Sequence, residues 1–266
     1  MSTLDFITEL FCRVDDMMSD VPKHSQSSLH PGEVVTLGLL FALKGVGNRA
    51  FYRWIVRDYL SLFPHLPERT RLFRLFVTHR EWTDRFLADP TVLGAADTYG
   101  IELIHPIREG RSPRQIGRKG LSNKRWIVGV KLALVVNQWG LAVGWDTNTA
   151  NHKDNIFRPL VAHFEEEMVV LTDTAFHTKP ERGGDPSNMK VCRPDTWNGR
   201  MVIEEVFSML TTVCHLKKMS SRVWAYLRAR LAFVVAVFNL LVQWYGLKPD
   251  PDEAGVVHMS IAQFSL

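Results

Sequence analysis

The spacing of apolar residues changes once along this chain, near residue 91, and that change limits it to a mixed α/β architecture, with helices first and a sheet after. Before the change, Phe6, Ile7, Leu10, Phe11 and Val14 recur at helical spacing. Pro31 can open a second helix at its first turn, with Val34, Val35, Leu37, Leu39, Leu40, Phe41 and Leu43 inside it. Gly45-Val46-Gly47-Asn48 breaks that helix, and Ala50 to Leu60 resumes the helical pattern. Helix, short glycine-containing turn and helix is the outline of a helix-turn-helix, an outline that compact helical bundles share. After the change, Trp126 to Val136 and Leu141 to Trp145 flank Asn137-Gln138-Trp139-Gly140, which reads as a hairpin turn. Met168 to Thr172 and Met189 to Cys192 read as further strands, and Asp154 to Phe164, Asn198 to Leu216 and Ser220 to Trp244 as helices. The chain thus divides into a helical region over residues 1–90 and an α/β (α+β) region over 91–266.

Two of the apolar runs end in carboxylates. Val92-Leu93-Gly94-Ala95-Ala96 leads to Asp97, and Met168-Val169-Val170-Leu171-Thr172 leads to Asp173. A third acid, Glu204, lies in the helix-like stretch from Arg200 to Leu210. A buried strand seldom ends in a bare carboxylate unless something stabilises the charge. A hard divalent cation does so, because Mg²⁺ takes oxygen ligands. Carboxylates converging from separate elements can hold two such ions, which clamp the attacking and leaving oxygens of a phosphodiester. Each acid also has an ordinary reading. Asp97 can cap a strand end, Asp173 can sit in a turn bonding nearby backbone, and Glu204 can pair on a helix surface with Arg200. Glu205 competes with Glu204. The apolar stripe through Val202, Val206 and Met209 and through Ile203, Phe207 and Leu210 leaves the two glutamates near its opposite edges, so helix geometry does not choose between them.

At these residues the chain resembles the DDE transposases of bacterial insertion sequences. The pieces are Asp97-Thr98, Leu171-Thr172-Asp173-Thr174-Ala175-Phe176, and Arg200 followed by Ile203-Glu204-Glu205-Val206-Phe207-Ser208-Met209-Leu210. The last is the most specific, since the family's third acid sits in an Arg-x-x-x-Glu helix with a Phe three residues on. That spacing favours Glu204 over Glu205. Leu10-Phe11, Val14-Asp15-Asp16, Phe51-Tyr52-Arg53-Trp54, Leu62-Phe63-Pro64-His65-Leu66-Pro67 and the run from Arg69 to Arg74 resemble the leader of one such group. The resemblance implies a ribonuclease H-like mixed sheet flanked by helices over 91–266, and a DNA-binding helical region before it. It implies Asp97, Asp173 and Glu204 as catalytic residues holding two Mg²⁺ or Mn²⁺ ions. It implies cleavage of double-stranded DNA at transposon ends, attack of the freed 3′-OH on target DNA, a homodimer on DNA, and a cytoplasmic, nucleoid-associated setting. The chain departs from the family at two positions. Many relatives carry a Tyr three residues before the Arg and a Lys seven after the Glu, where this chain has Trp197 and Thr211. Trp197 either stacks on a flipped base or packs under the Glu204 helix. The link from Thr174 to Asn188 is short where the family places a helix. Two other functions share these features: a DNA-binding protein that does not cut, and a ribonuclease H-like nuclease without strand transfer.

Charge points the same way. The formal net charge is +4 and the pI about 9.0, a balance compatible with nucleic acid. Arg108, Arg111, Arg114, Arg118, Lys119, Lys124 and Arg125 cluster against the lone Glu109, with Gly110, Gly117 and Gly120 between them. This segment reads as a flexible loop contacting phosphates, assisted by Arg200, and its ordinary alternative is a solvated basic loop. Cys12, Cys192 and Cys214 have no zinc spacing and fit a reducing cytoplasm, with Cys192 and Cys214 as core residues. The chain contains no Gly-x-x-x-x-Gly-Lys-Ser/Thr phosphate loop. Its first residues lack the basic-then-apolar order of a secretory signal. Leu231 to Tyr245 is apolar, but Asn239 and Gln243 interrupt it and it falls short of the ~20 residues of a membrane span. It is therefore expected to be a buried C-terminal helix. His152 is expected in a turn before a helix capped near Asp154, and His177 as a structural residue.

Overall fold

The structure, a computed structural model, describes residues 1–122, 125–179, 184–192, 199–217, 219–245, 248–249, 257–258, 261–264 and 266. Four helices come first: α1 (Thr3–Met17), α2 (Pro31–Lys44), α3 (Asn48–Asp58) and α4 (Arg69–Thr78). A capping box starts α1. The Asp5 N–H donates to Ser2 Oγ over 3.1 Å, and the Ser2 N–H donates back to Asp5 Oδ2 over 3.2 Å. Pro31 stands in the first turn of α2, as its fixed φ and missing N–H allow. Gly45 closes that helix at φ 65°, a left-handed conformation that favours glycine.

A short 3₁₀ segment (Arg80–Phe86) leads to a mixed sheet. Its strands are β1 (Leu93–Ile104), β2 (Arg118–Ser122), β3 (Arg125–Asn137), β4 (Ala142–Thr149), β5 (Val169–Thr172) and β6 (Met189–Val191). The order is β2-β3-β1-β5-β6, with β4 also on β3. β3 runs antiparallel to β1 from Gly94↔Asn137 to Ile104↔Val128. On its other edge β3 pairs with β2 at its start and with β4 further along. β5 lies parallel to β1, and β6 parallel to β5. A turn with Gly140 at φ 75° joins β3 to β4, as the sequence predicts. The chain between β4 and β5 holds α5 (Arg158–Ala162), and α6 (Gly199–Thr212) and α7 (Trp224–Tyr245) follow the sheet.

β3 reads as an almost unbroken apolar run because it is covered on both faces. Val130, Leu132, Leu134 and Val136 enter a large core shared with α1, α2, α4, α6 and α7. Ala133 and Val135 point the other way, into a smaller core with Phe157, Val161, Phe164 and Met168. α7 runs through the large core and is buried along most of its length, as expected of the C-terminal apolar segment. It is long and apolar enough to cross a membrane, yet 83% of its apolar window is buried inside the protein. α2 crosses α7 at Gly38, where a Cβ would come within 2.3 Å of the Phe233 ring. Gly38→Ala should therefore lower stability by about 1–3 kcal/mol, the usual cost of overpacking, despite alanine's better helix propensity. Thermal unfolding checks this, and an unchanged midpoint would show that the two helices can separate at no cost.

Several boundaries differ from expectation. Asp97 does not end its strand, since β1 continues to Ile104. Gly100 interrupts the apolar pattern because a Cβ there would fall 2.3 Å from Ser122 Oγ, so the close strand contact demands a residue that reads as a breaker. The basic segment is not all loop, because Arg118–Ser122 pairs with β3. Gly120 serves close packing, as its Cβ would lie 1.8 Å from the Ala150 carbonyl oxygen. The stretch predicted helical from Asp154 is a 3₁₀ segment (Asp154–Phe157) followed by the five-residue α5. Asp154 makes no side-chain cap. Its Oδ1 instead accepts from the buried Lys131 Nζ over 2.6 Å, the counter-charge that a lysine inside a sheet requires.

Candidate active site

The parallel pairing of β1 with β5 positions the first two acids. The pairs are Leu93↔Val169, Gly94↔Val170 and Ala95↔Leu171. The ladder ends there, two residues before either acid: Asp97 lies further along β1 and Asp173 just past the end of β5, both at the same end of the shared pairing. Both residues are half-buried. Asp97 Oδ1 accepts the N–H of Thr98 over 2.7 Å. Asp173, just past the end of β5, accepts the N–H of Ala175 at Oδ1 over 2.9 Å, a turn in which the carboxylate bonds nearby backbone.

α6 packs against β1 and β5 through the buried Ile203, Val206, Phe207 and Leu210. Phe207 stacks on Tyr99 with ring centroids 5.4 Å apart and planes 27° apart. Tyr99 lies two residues beyond Asp97 and so on the same face of β1. Glu204 is one turn before Phe207, and both Glu204 and Glu205 are exposed. Register and packing thus direct the three acids toward one region of the sheet. Among the described residues no three His, Cys, Asp or Glu side chains stand together as a cation-holding group: Asp97 and Asp173 are a pair only in lying at the same end of β1 and β5, and Glu204 does not join them in such a group. In donor chemistry the pair fits a hard divalent cation, since it offers carboxylate oxygens alone.

Asp173 is followed by a network that the sequence did not disclose. His177 Nε2 lies 2.9 Å from Oγ1 of the fully buried Thr172, and His177 Nδ1 lies 2.6 Å from Asp185 Oδ2. Asp185 Oδ1 also accepts the Thr178 N–H over 2.9 Å, and Arg158 Nη1 stands 3.8 Å away. Burial opposes ionisation of Asp185. The Thr178 and His177 hydrogen bonds, with the positive charges of His177 and Arg158, outweigh it and hold the carboxyl below its ordinary value. The turn carrying Asp173 is therefore fixed from both sides. His177 keeps the structural role expected of it.

Beside this turn opens a groove lined by Lys119, Lys131, His152, Lys153, His177 and Lys179 among others, with Asp154 as the one acid among the described residues that line it. Lys119 Nζ lies 5.6 Å from the Trp126 ring, and Trp126 is 60% exposed. Arg108, Arg111, Arg114, Arg118, Lys119 and Arg125 are all exposed and form no salt bridge among the described residues. Lys124 and Trp197 fall outside the described residues, as do positions 180–183 of the link before β6, and the Arg200 side chain is likewise not described. Cys214 is fully buried, which pushes its thiol up to about 12, so it is an inert core residue as expected, whereas Cys192 is half-buried. No family model matches this chain, and no curated protein matches it.

Proposed function

We propose that this chain is a metal-dependent DNA transposase of the DDE type, with a ribonuclease H-like catalytic domain over 91–266 and DNA-contacting helices before it. One observation supports the reading most: β1 and β5 pair in parallel and carry Asp97 and Asp173 at the same end of that pairing, with the helix of Glu204 packed over the same strands. The strand sequence supports it in part. Apart from the added β2, three antiparallel strands (β1, β3, β4), a helix, then β5 parallel to β1, β6 parallel to β5 and a helix after them resemble the ribonuclease H-like order.

On this reading Asp97, Asp173 and, from α6, Glu204 would hold Mg²⁺ or Mn²⁺, although the three do not stand together as a group in the structure. When bound, such ions supply Lewis acidity at the scissile phosphate and charge to offset the leaving oxygen. The protein's own part is positional. Two strands of one sheet fix the donors, and the His177–Asp185 network holds the turn of Asp173. The exposed arginines and the lysine-lined groove would hold phosphates of the double-stranded end, and the freed 3′-OH would attack target DNA in the same site. The test is incubation with labelled duplex carrying the element's own ends, with Mg²⁺ or Mn²⁺. Joined products are expected. Nicking without joining would point instead to a nuclease, and retention of uncut duplex to a binding protein.

The basic segment has a separate test. Arg111→Gln with Arg114→Gln removes two charges, and the slope of log affinity against log salt should become shallower by about 1.8 if each meets one phosphate. An unchanged slope would remove these residues from the DNA interface.

A further inference from the structure

Arg230, in the second turn of α7, is 7% exposed and has no acidic partner among the described residues. Its guanidinium lies over the Phe41 ring, 4.7 Å from the centroid. Its Nε and Nη2 have no hydrogen-bond partner among the described residues. Buried polar groups are nearly always bonded, and a buried guanidinium ordinarily meets a carboxylate, so two idle donors on one such group call for an explanation. Burial lowers its affinity for the proton, to a pKa of about 10, so it is still charged near neutrality.

The same arginine lines a cavity of about 330 Å³. The aromatic side chains of Phe73, Phe76 and Phe233 line it, and the exposed Ser220 and Arg222 stand in its wall. Two helices begin there. Asn48 opens α3, whose N-cap Gly47 offers no side-chain bond, and Ser221 to Val223 precede α7. Helix N-termini carry unsatisfied N–H groups and partial positive charge, which favour anions. A cationic end and an aromatic body of this kind, within one enclosure, suit a ligand with the opposite plan.

We propose that this cavity binds a small organic oxyanion, a phosphate or carboxylate carried on a planar apolar group, with Arg230 as the inner anion contact. The site shares no residue with Asp97, Asp173 or Glu204 and stands or falls independently of DNA cleavage. The probe is phenyl phosphate, titrated into the full chain by calorimetry at low salt. Saturable one-to-one binding at roughly millimolar concentration or below is expected. Phenol, which lacks the anion, and inorganic phosphate, which lacks the ring, should each bind at least about tenfold more weakly.

Arg230→Met keeps the length of the side chain and removes an unpartnered buried charge, so the variant should fold and melt no lower than wild type. It should lose at least about tenfold in affinity for phenyl phosphate, the scale of a lost charged hydrogen bond. Ala229→Leu, which fills the cavity from a buried position and keeps the guanidinium, should lose binding equally. Either variant serves alone should the other fail to fold. Absence of saturable binding to wild type, or binding to both variants as tight as to wild type, overturns the proposal.

Discussion

Asparagine at Asp97 or at Asp173 is expected to slow DNA cleavage by more than about 100-fold and to leave the fold unchanged. Loss of a residue that merely orients a metal ligand already costs ~10–100-fold, so loss of a ligand should exceed that. Asn matches Asp in shape, and the bonds that Asp97 Oδ1 and Asp173 Oδ1 accept from backbone N–H groups can pass to an amide oxygen. In chelator the variants should melt with wild type, since each keeps its backbone hydrogen bond. In excess Mg²⁺ they should separate from it. A cation bound only by the folded protein stabilises it by about 2.7 kcal/mol at a hundred times its Kd, and the variants should lose most of that gain. Glu204→Gln should behave like them, and Glu205→Gln like wild type. Full cleavage by Asp97→Asn and Asp173→Asn together would remove the pair from catalysis. Loss of cleavage in Glu205→Gln but not in Glu204→Gln would move the third acid by one residue.

The elements that could be read from the sequence are those with a local cause. Pro31 and Gly45 bracket α2 because one fixes φ and the other permits a positive φ, and both act within a residue of themselves. The turn between β3 and β4 and the strand before Asp173 follow the same rule. What escaped reading depends on distant partners. β1 looked finished at Asp97 because Gly100 serves a contact with Ser122 on another strand. β2 hid among arginines, lysines and glycines, the composition of an edge strand that presents charge to solvent. The parallel pairing of β1 with β5, which carries Asp97 and Asp173 at one end, joins segments with no shared period, so the sequence offered each acid separately and only the resemblance grouped them. His177 could be seen, but Asp185 belonged to a link with no pattern at all. Arg230 drew no reading from the sequence, and its burial alone reveals it as unusual.

Asn239 belongs with these, and replacing it should have the largest effect on stability of any polar substitution in α7. It interrupts the apolar run of that helix, and it is fully buried. Its Oδ1 accepts the Ala142 N–H over 2.8 Å, and its Nδ2 donates to the carbonyl oxygens of Phe86 and Ala142 over 2.8 and 2.7 Å. One amide therefore ties α7 to the start of β4 and to the end of the 3₁₀ segment before the sheet. Asn239→Leu keeps the branched shape, with somewhat larger volume, and strands those groups. The Ala142 carbonyl retains the N–H of Ala88, but the Ala142 N–H loses this acceptor and the Phe86 carbonyl this donor. At about 1–3 kcal/mol for each stranded group, the deficit should reach about 2–5 kcal/mol, a fall of several degrees in melting temperature. Asn239→Asp distinguishes hydrogen bonding from packing. Its carboxylate can accept but not donate, and ionisation there is opposed by burial, which raises the carboxyl pKa of the folded state above that of the unfolded chain. Its deficit should therefore shrink as the pH falls toward the unfolded value, while that of Asn239→Leu stays level. Chemical denaturation at neutral and acidic pH measures both, and a leucine variant as stable as wild type would mean that the amide joins nothing the fold depends on.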